Sequence, residues 1–207
     1  MSVEKVNKPK VRPIARVICK GSSCNANEKV VLEGVTDCKT AAEMIGDESS
    51  ACTHGCLGYG SCAEACPFDA IEIIDMVAVV NKDKCKGCKL CVKACPRDVI
   101  AMIPPTQEVV VDCNSKDAGK VARQKCKVSC IGCQMCVKAC PFWAMDFSDN
   151  LASINYDKCT NCMVCATKCP TKAITADLEE RKIAVISEDK CIGCTICERS
   201  CQVVAIE

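Results

Sequence analysis

The sequence predicts an α+β protein made of small repeated units, each folded around a cysteine-rich loop. Three observations predict it: a four-cysteine pattern that recurs five times, an apolar pair at a fixed offset after each copy, and very few aromatic residues for a conventional core. The clearest copy runs from Lys84 to Pro96, KCKGCKLCVKACP, with Cys85, Cys88 and Cys91 at two-residue spacings, Cys95 further on and Pro96 ending the run.

This is the [4Fe–4S] spacing of bacterial two-cluster ferredoxins, where three cysteines hold one cluster and the fourth reaches its neighbour. Thiolates so spaced fit a tight loop over one face of a cubane, running into a short helix that carries the fourth. The fold class is therefore α+β: tandem two-cluster bacterial ferredoxin-like (βαβ-repeat) units, an extra lone half-unit and a small irregular N-terminal segment. Cys130, Cys133, Cys136 and Cys140 repeat the pattern, as do Cys159, Cys162, Cys165 and Cys169. Cys191, Cys194, Cys197 and Cys201 form the last copy, with Gln202 in place of proline. The first copy is degenerate: Cys56, Cys62 and Cys66 align, but Tyr59 takes the second ligand position. The apolar tails Ala70-Ile71, Val99-Ile100, Ala144-Met145, Ala173-Ile174 and Ala205-Ile206 read as strands entering small cores.

The copies fall into two kinds, which sets the architecture. Asp-Lys precedes Cys85, Cys159 and Cys191, whereas Cys56 and Cys130 have a further cysteine four residues upstream, Cys52 and Cys126. The chain reads as first half plus second half, twice, and then a lone second half. Residues 1–15 form a basic linker and 16–51 a cysteine-containing N-terminal segment. Residues 52–105 form the first two-cluster unit, 106–125 a connector, 126–176 the second unit and 177–207 the lone half. Within them, RVIC (16–19) and KVVLEG (29–34) read as strands, and Cys38 opens a helix capped by Asp37. Hairpins are expected at 70–80, 144–155 and 173–186, and a short helix within 114–124.

Composition bounds the chemistry. The chain of 207 residues holds 25 cysteines, an odd number without a signal peptide, which opposes a disulfide framework. Zinc sites use paired C-x2-C knuckles, not a third cysteine at the same interval followed by Cys-Pro. The clusters are expected to serve as cores, with metal binding supplying much of the folding free energy. Free thiolates and low-potential clusters point to a reducing compartment, the cytoplasm. No apolar run approaches the roughly 18 residues that span a bilayer. The formal charge is +1, and each cluster with its thiolates adds about −2. Lys82, Lys84, Lys86, Lys89 and Lys93 offset that charge, or form a docking patch for an acidic partner. Basic residues are not interleaved with aromatics, so nucleic-acid binding finds no support.

Crosswise ligation assigns Cys130, Cys133, Cys136 and Cys169 to one cluster, and Cys159, Cys162, Cys165 and Cys140 to its neighbour. In the first unit it assigns Cys85, Cys88, Cys91 and Cys66 to one cluster and leaves Cys56, Cys62 and Cys95 one ligand short. Cys52 is the nearest replacement; because its counterpart Cys126 is surplus, a structural role for this position is the alternative. The last cluster has Cys191, Cys194 and Cys197, with Cys201 or a remote cysteine as the fourth ligand. This makes about five clusters. Cys19, Cys24, Cys38 and Cys113 are buried thiols, or else Cys19, Cys24 and Cys38 belong to a sixth cluster. His54, the only histidine, excludes a Rieske centre, which needs two.

The stretch CKGSSCNANEKVVLEGVTDCKTAAEMIGDESSACTHGCLGYGSCAEACPFDAI resembles the B subunit of Rnf-type ferredoxin:NAD oxidoreductases in their multi-cluster form. The elements that carry it are C-N-A, E-G-V-x-D-C and G-C-L-G-Y-G-S-C-x-x-x-C-P-F-D-A-I. The connector VVVDCNSKDAGKVARQKCKVSCIGC is similar too, and the likeness extends over about 11–207. The resemblance implies a subunit that accepts electrons from reduced ferredoxin and relays them within a membrane complex that reduces NAD and moves ions. Such subunits begin with a membrane helix and a further cluster domain, which this sequence lacks. Its place is then at the inner face of the membrane through partner subunits.

An enzyme with its own substrate site is the competing function. Gly55, Gly58 and Gly60 lie inside a cluster loop rather than between a strand and a helix, so they are no dinucleotide fingerprint. The alternative is an electron wire for another soluble complex whose substrate or flavin site lies on a partner chain.

Overall fold

The computed structural model describes residues 12–46 and 51–176, together with 186, 189, 191–195 and 197. The described elements run β1 (Ile14–Val17), α1 (Cys38–Ile45), α2 (Ser61–Glu64), β2 (Ile71–Ile74), β3 (Val77–Val80), α3 (Leu90–Ala94) and β4 (Ile100–Ile103). They continue with β5 (Val110–Val111), α4 (Gly119–Lys125), α5 (Met135–Ala139), β6 (Met145–Ser148), β7 (Leu151–Ile154), α6 (Val164–Lys168) and β8 (Ile174–Thr175).

Two of the three expected hairpins form within the described residues, β2 with β3 and β6 with β7, both antiparallel. Their turns are Asp75-Met76 and Asp149-Asn150, with φ between 48° and 61° at all four residues. Two consecutive left-handed residues give the tight turn whose twist matches the strands it joins. Each unit is then closed by a strand that precedes it in sequence. β1 pairs antiparallel with β4, Ile14 opposite Ile103 and Val17 opposite Ile100. β5 pairs antiparallel with β8, Val110 opposite Thr175 and Val111 opposite Ile174. The strand read at 16–19 thus begins two residues earlier. Ile174 pairs with β5, and residues 177–185 of the third expected hairpin lie outside the described residues.

Cysteines and small aliphatic residues share the two main cores. One gathers Val17, Cys62, Ile71, Ala78, Cys91 and Ile100; the other gathers Val111, Cys136, Met145, Ala152, Cys165 and Ile174. A third set, Ile14, Ile103 and Val110 with half-buried Tyr156, packs where the units meet. Beside it Arg16 on β1 makes a two-pronged contact with Asp112, Nε to Oδ1 at 3.1 Å and Nη2 to Oδ2 at 2.6 Å. The Asp112 side chain is only 2% exposed and also accepts from the Thr175 hydroxyl. Removing one partner of such a pair strands a buried charge. Arg16→Ala is therefore expected to cost about 3 kcal/mol. The midpoint of anaerobic chemical denaturation checks it, with Arg16→Lys falling between the two because it keeps the charge but loses the fork.

The N-terminal segment departs from its expected form. α1 forms as read, with Asp37 Oδ1 accepting from the Lys39 and Thr40 amides at 3.0 and 2.9 Å. No strand forms at KVVLEG (29–34). Instead the Leu32 amide donates to the Tyr59 hydroxyl at 2.8 Å, and the Lys29 ammonium caps the carbonyls of Cys56 and Met76 at 2.8 and 3.2 Å. The segment also joins the connector: Asn27 N–H donates to Lys125 O and Lys127 N–H to Asn25 O, each at 2.9 Å. Among the described residues no helix is long and apolar enough to cross a membrane.

Candidate metal centres

The cysteine loops share one backbone path. Gly58, Gly87, Gly132, Asn161 and Gly193 occupy the same place in the five copies, and all have φ between 57° and 81°. Two residues on, Gly60, Lys89, Gln134, Met163 and Thr195 are also left-handed. In the first four copies the second of these turns leads directly into α2, α3, α5 and α6, whose second residue is the buried third cysteine: Cys62, Cys91, Cys136 or Cys165. Tyr59 thus stands in the register of the exposed Cys88 and Cys133, with its side chain committed to the N-terminal segment.

The closing strands lie over the second loop of each unit. The Ala15 amide on β1 donates to Cys85 Sγ at 3.4 Å, and Gln107, just before β5, donates through Nε2 to Cys159 Sγ at 3.0 Å. At Gly87 the covering chain comes so close that an added Cβ would meet the Pro13 carbonyl. At Asn161 there is room, and its side chain donates to Thr106 O at 2.9 Å and accepts from Glu108 N–H at 3.3 Å.

Four cavities of similar size, each lined by four cysteines, lie beneath these loops. Cys66, Cys85, Cys88 and Cys91 line one of about 310 Å³. Cys130, Cys133, Cys136 and Cys169 line one of about 370 Å³, and Cys140, Cys159, Cys162 and Cys165 one of about 300 Å³. In each, the fourth cysteine comes from the other half of the unit. The remaining cavity, about 340 Å³, is lined by Cys56, Cys62, Cys95 and Cys38. Cys52, expected at that last position, is not among the residues lining it; it lines a neighbouring cavity with Cys19, Cys113 and Cys126, which Cys56 borders as well. Cys38 is held by its amide donating to Ser61 Oγ at 2.8 Å, beside Leu57 and Tyr59.

Cys19, Cys24 and Cys38 are not brought together: Cys19 and Cys38 line separate cavities, and exposed Cys24 sits 3.1 Å from Ser22 Oγ. Cys191, Cys194 and Cys197 are exposed, and Cys201 lies outside the described residues. His54 lies 3.6 Å from Asp117 Oδ1, which ties it to the connector.

The donor set fits iron–sulfur clusters. Thiolates are the soft ligands these clusters take, and cysteines surrounding a cavity suit a multi-atom core. Among the described residues no three His, Cys, Asp or Glu side chains close tightly around one point as ligands of a single ion do. Burial pushes the thiols of Cys62 and Cys165 up to about 12 and that of Cys136 up to about 11, with neighbouring thiols adding to the effect. The metal-free thiols are therefore protonated at neutral pH, and metal loading releases those protons.

Known proteins show the same pattern. Three families described as 4Fe-4S dicluster domain match: one residues 51–102, another 129–174, and a third 84–144 and 158–205, the last over half the chain. The B subunit of the Na(+)-translocating ferredoxin:NAD(+) oxidoreductase complex of Acetobacterium woodii is 44% identical over 173 residues, 83% of this chain and 52% of that protein. The B subunit of the proton-translocating ferredoxin:NAD(+) oxidoreductase complex of Clostridium ljungdahlii is 42% identical, covering 81% and 60%. The B subunit of the ion-translocating oxidoreductase complex of Methanosarcina acetivorans is 40% identical, covering 76% and 60%. The chain spans about half to three fifths of the length of these relatives.

Proposed function

We propose that this chain, which belongs to the 4Fe-4S dicluster domain family, is a multi-cluster electron-transfer subunit that takes electrons from reduced ferredoxin and relays them within an Rnf-type ferredoxin:NAD oxidoreductase complex. The observation that carries this reading is the set of four cavities, each lined by four cysteines. In three of them three come from one loop and one from the other half of the unit, and in the fourth Cys56 and Cys62 of the loop are joined by Cys95 and Cys38. Clusters bound there supply one-electron carriers.

The chain's residues hold and tune these centres. Cys85, Cys88, Cys91 and Cys66 form one ligand set; Cys130, Cys133, Cys136 and Cys169 a second; Cys159, Cys162, Cys165 and Cys140 a third. Cys56, Cys62, Cys95 and Cys38 form a fourth. Cys191, Cys194, Cys197 and Cys201 complete the five loop-bearing sites, in units bounded as 52–105, 126–176 and 177–207 with 106–125 between the first two. The Ala15 amide and the Gln107 side chain donate to ligand sulfurs, which favours the electron-rich reduced state and so raises the potential of those two sites. The other subunits of the complex hold this chain at the inner face of the membrane.

Exposed Lys82, Lys84, Lys86, Lys89 and Lys93 surround the Cys85 loop and make it the face for an acidic ferredoxin. Electrostatic steering acts over a Debye length of about 8 Å at physiological salt. Stopped-flow reduction of the loaded chain by ferredoxin is expected to slow as salt rises, and to slow at low salt when these lysines are replaced by glutamine. Reduction at a rate independent of salt and of these lysines would remove the docking face. Failure of ferredoxin to reduce the chain at all would favour an electron wire in a different soluble complex.

A further inference from the structure

We infer that Cys19, Cys52, Cys113 and Cys126 form a further [4Fe–4S] site, assembled between the two ferredoxin-like units. All four line one cavity of about 700 Å³; the fifth cysteine at its wall, Cys56, also lines the cavity of the first loop, to whose ligand set it is assigned. None belongs to the four cavities under the loops, and Cys19 and Cys113 have no place in the repeated motif.

The site repeats the internal symmetry of the chain. Cys19 follows β1 by two residues, and Cys113 follows β5 by two. Cys52 and Cys126 each stand four residues before the first cysteine of a loop, Cys56 or Cys130. Each repeat therefore contributes one cysteine from the end of its closing strand and one from the lead-in to its first loop. The sulfur contacts match as well. Cys19 Sγ accepts from the Cys56 amide at 3.3 Å, and Cys113 Sγ accepts from the Cys130 amide at 3.2 Å. An isolated buried thiol needs no such pairing; two symmetry-related ones with the same donor describe a built site.

Every sulfur of the set also has an amide donor two residues further along the chain. Gly21 N–H donates to Cys19 Sγ at 3.4 Å, and the amides of His54, Ser115 and Val128 donate to Cys52, Cys113 and Cys126. Such donors stabilise thiolate charge around a cluster and set its potential. Four thiolates on a cubane leave about −2 on the site. Lys29 beside Cys56 and Cys126, and Lys125 beside Cys52, supply nearby positive charge.

The location gives the site its role. Its sulfurs accept amides of Cys56 in one unit and Cys130 in the other, both ligands of loop-bearing sites. A cluster here links the two units electronically and, through the Ala26–Cys126 bridge and its flanking hydrogen bonds, staples the N-terminal segment to the connector. The inference extends the electron-transfer reading without requiring ferredoxin as donor.

Native mass spectrometry with iron and sulfide analysis of the anaerobically loaded full chain tests it. Cys113→Ser and Cys52→Ser are each expected to lose about four irons and four sulfides relative to the parent. The double variant is expected to lose no more than either single one, and Cys24→Ser, the exposed control, to lose none. Unchanged iron in Cys113→Ser and Cys52→Ser overturns the site. So does parent protein that carries one zinc per chain which these variants lose. If either single variant sheds the other centres as well, the sum over Cys52→Ser and Cys126→Ser decides: equal, non-additive losses support the shared site, and additive losses overturn it. Absence of all iron and sulfide from the parent would overturn the electron-transfer reading itself, along with this site.

Discussion

Cys38→Ser is expected to strip one tetranuclear centre from the loaded chain, about four irons, although Cys38 lies outside every repeated motif. The degenerate first loop presents Tyr59 where the other four loops present a thiol, and Tyr59 uses its hydroxyl to hold Leu32 instead. That hydrogen bond brings the N-terminal segment across the loop, and the cap at Asp37 and the Cys38 amide bond to Ser61 fix the start of α1 over Cys62 and Cys95. The element that the replacing tyrosine recruits thus brings a fourth cysteine to the cavity of the depleted loop. Cys38→Ser combined with Cys62→Ser is expected to lose no more iron than either alone, because both act on one centre. Cys52→Ser combined with Cys62→Ser should lose two centres' worth. The reverse pattern, additive for Cys38 and non-additive for Cys52, would return Cys52 to the ligand set of the first loop.

Cys66→Ser should remove the centre beneath the Cys85 loop rather than the one beneath its own. Cys66 lines the cavity with Cys85, Cys88 and Cys91, whereas Cys62, four residues earlier, faces Cys56, Cys95 and Cys38. Losses of about four irons are expected for Cys66→Ser and for Cys91→Ser, with no further loss when the two are combined. Adding Cys62→Ser to Cys66→Ser should double the loss. Additive behaviour of Cys66 with Cys91 would contradict crosswise ligation in this unit.

The parts of the fold legible in the sequence are those fixed by local rules. The hairpins follow from apolar alternation around short turns, and three cavities have the cysteine sets that the repeat spacing predicts. What escaped is set by contacts far apart in sequence. KVVLEG has strand composition, yet Leu32 is tied to Tyr59, 27 residues away, and no sheet edge receives the segment. Cys52 lies closest in sequence to the depleted loop, but it is Cys38, at the start of α1, that lines one cavity with Cys56, Cys62 and Cys95. The signal for the site between the units was present in two forms: the echo of RVIC in VVVDC, and the shared cysteines four residues before Cys56 and Cys130. Only the packing of Ile14 with Val110, fastened by Arg16 and Asp112, shows that these two pairs face one cavity.

Mössbauer spectroscopy of the chain loaded anaerobically with iron-57, read against its total iron and sulfide, tests the central claim most directly. The account predicts at least about twenty irons per chain with matching sulfide, all in tetranuclear centres. Iron near eight to twelve per chain, with zinc in the remaining cysteine sets, would contradict it.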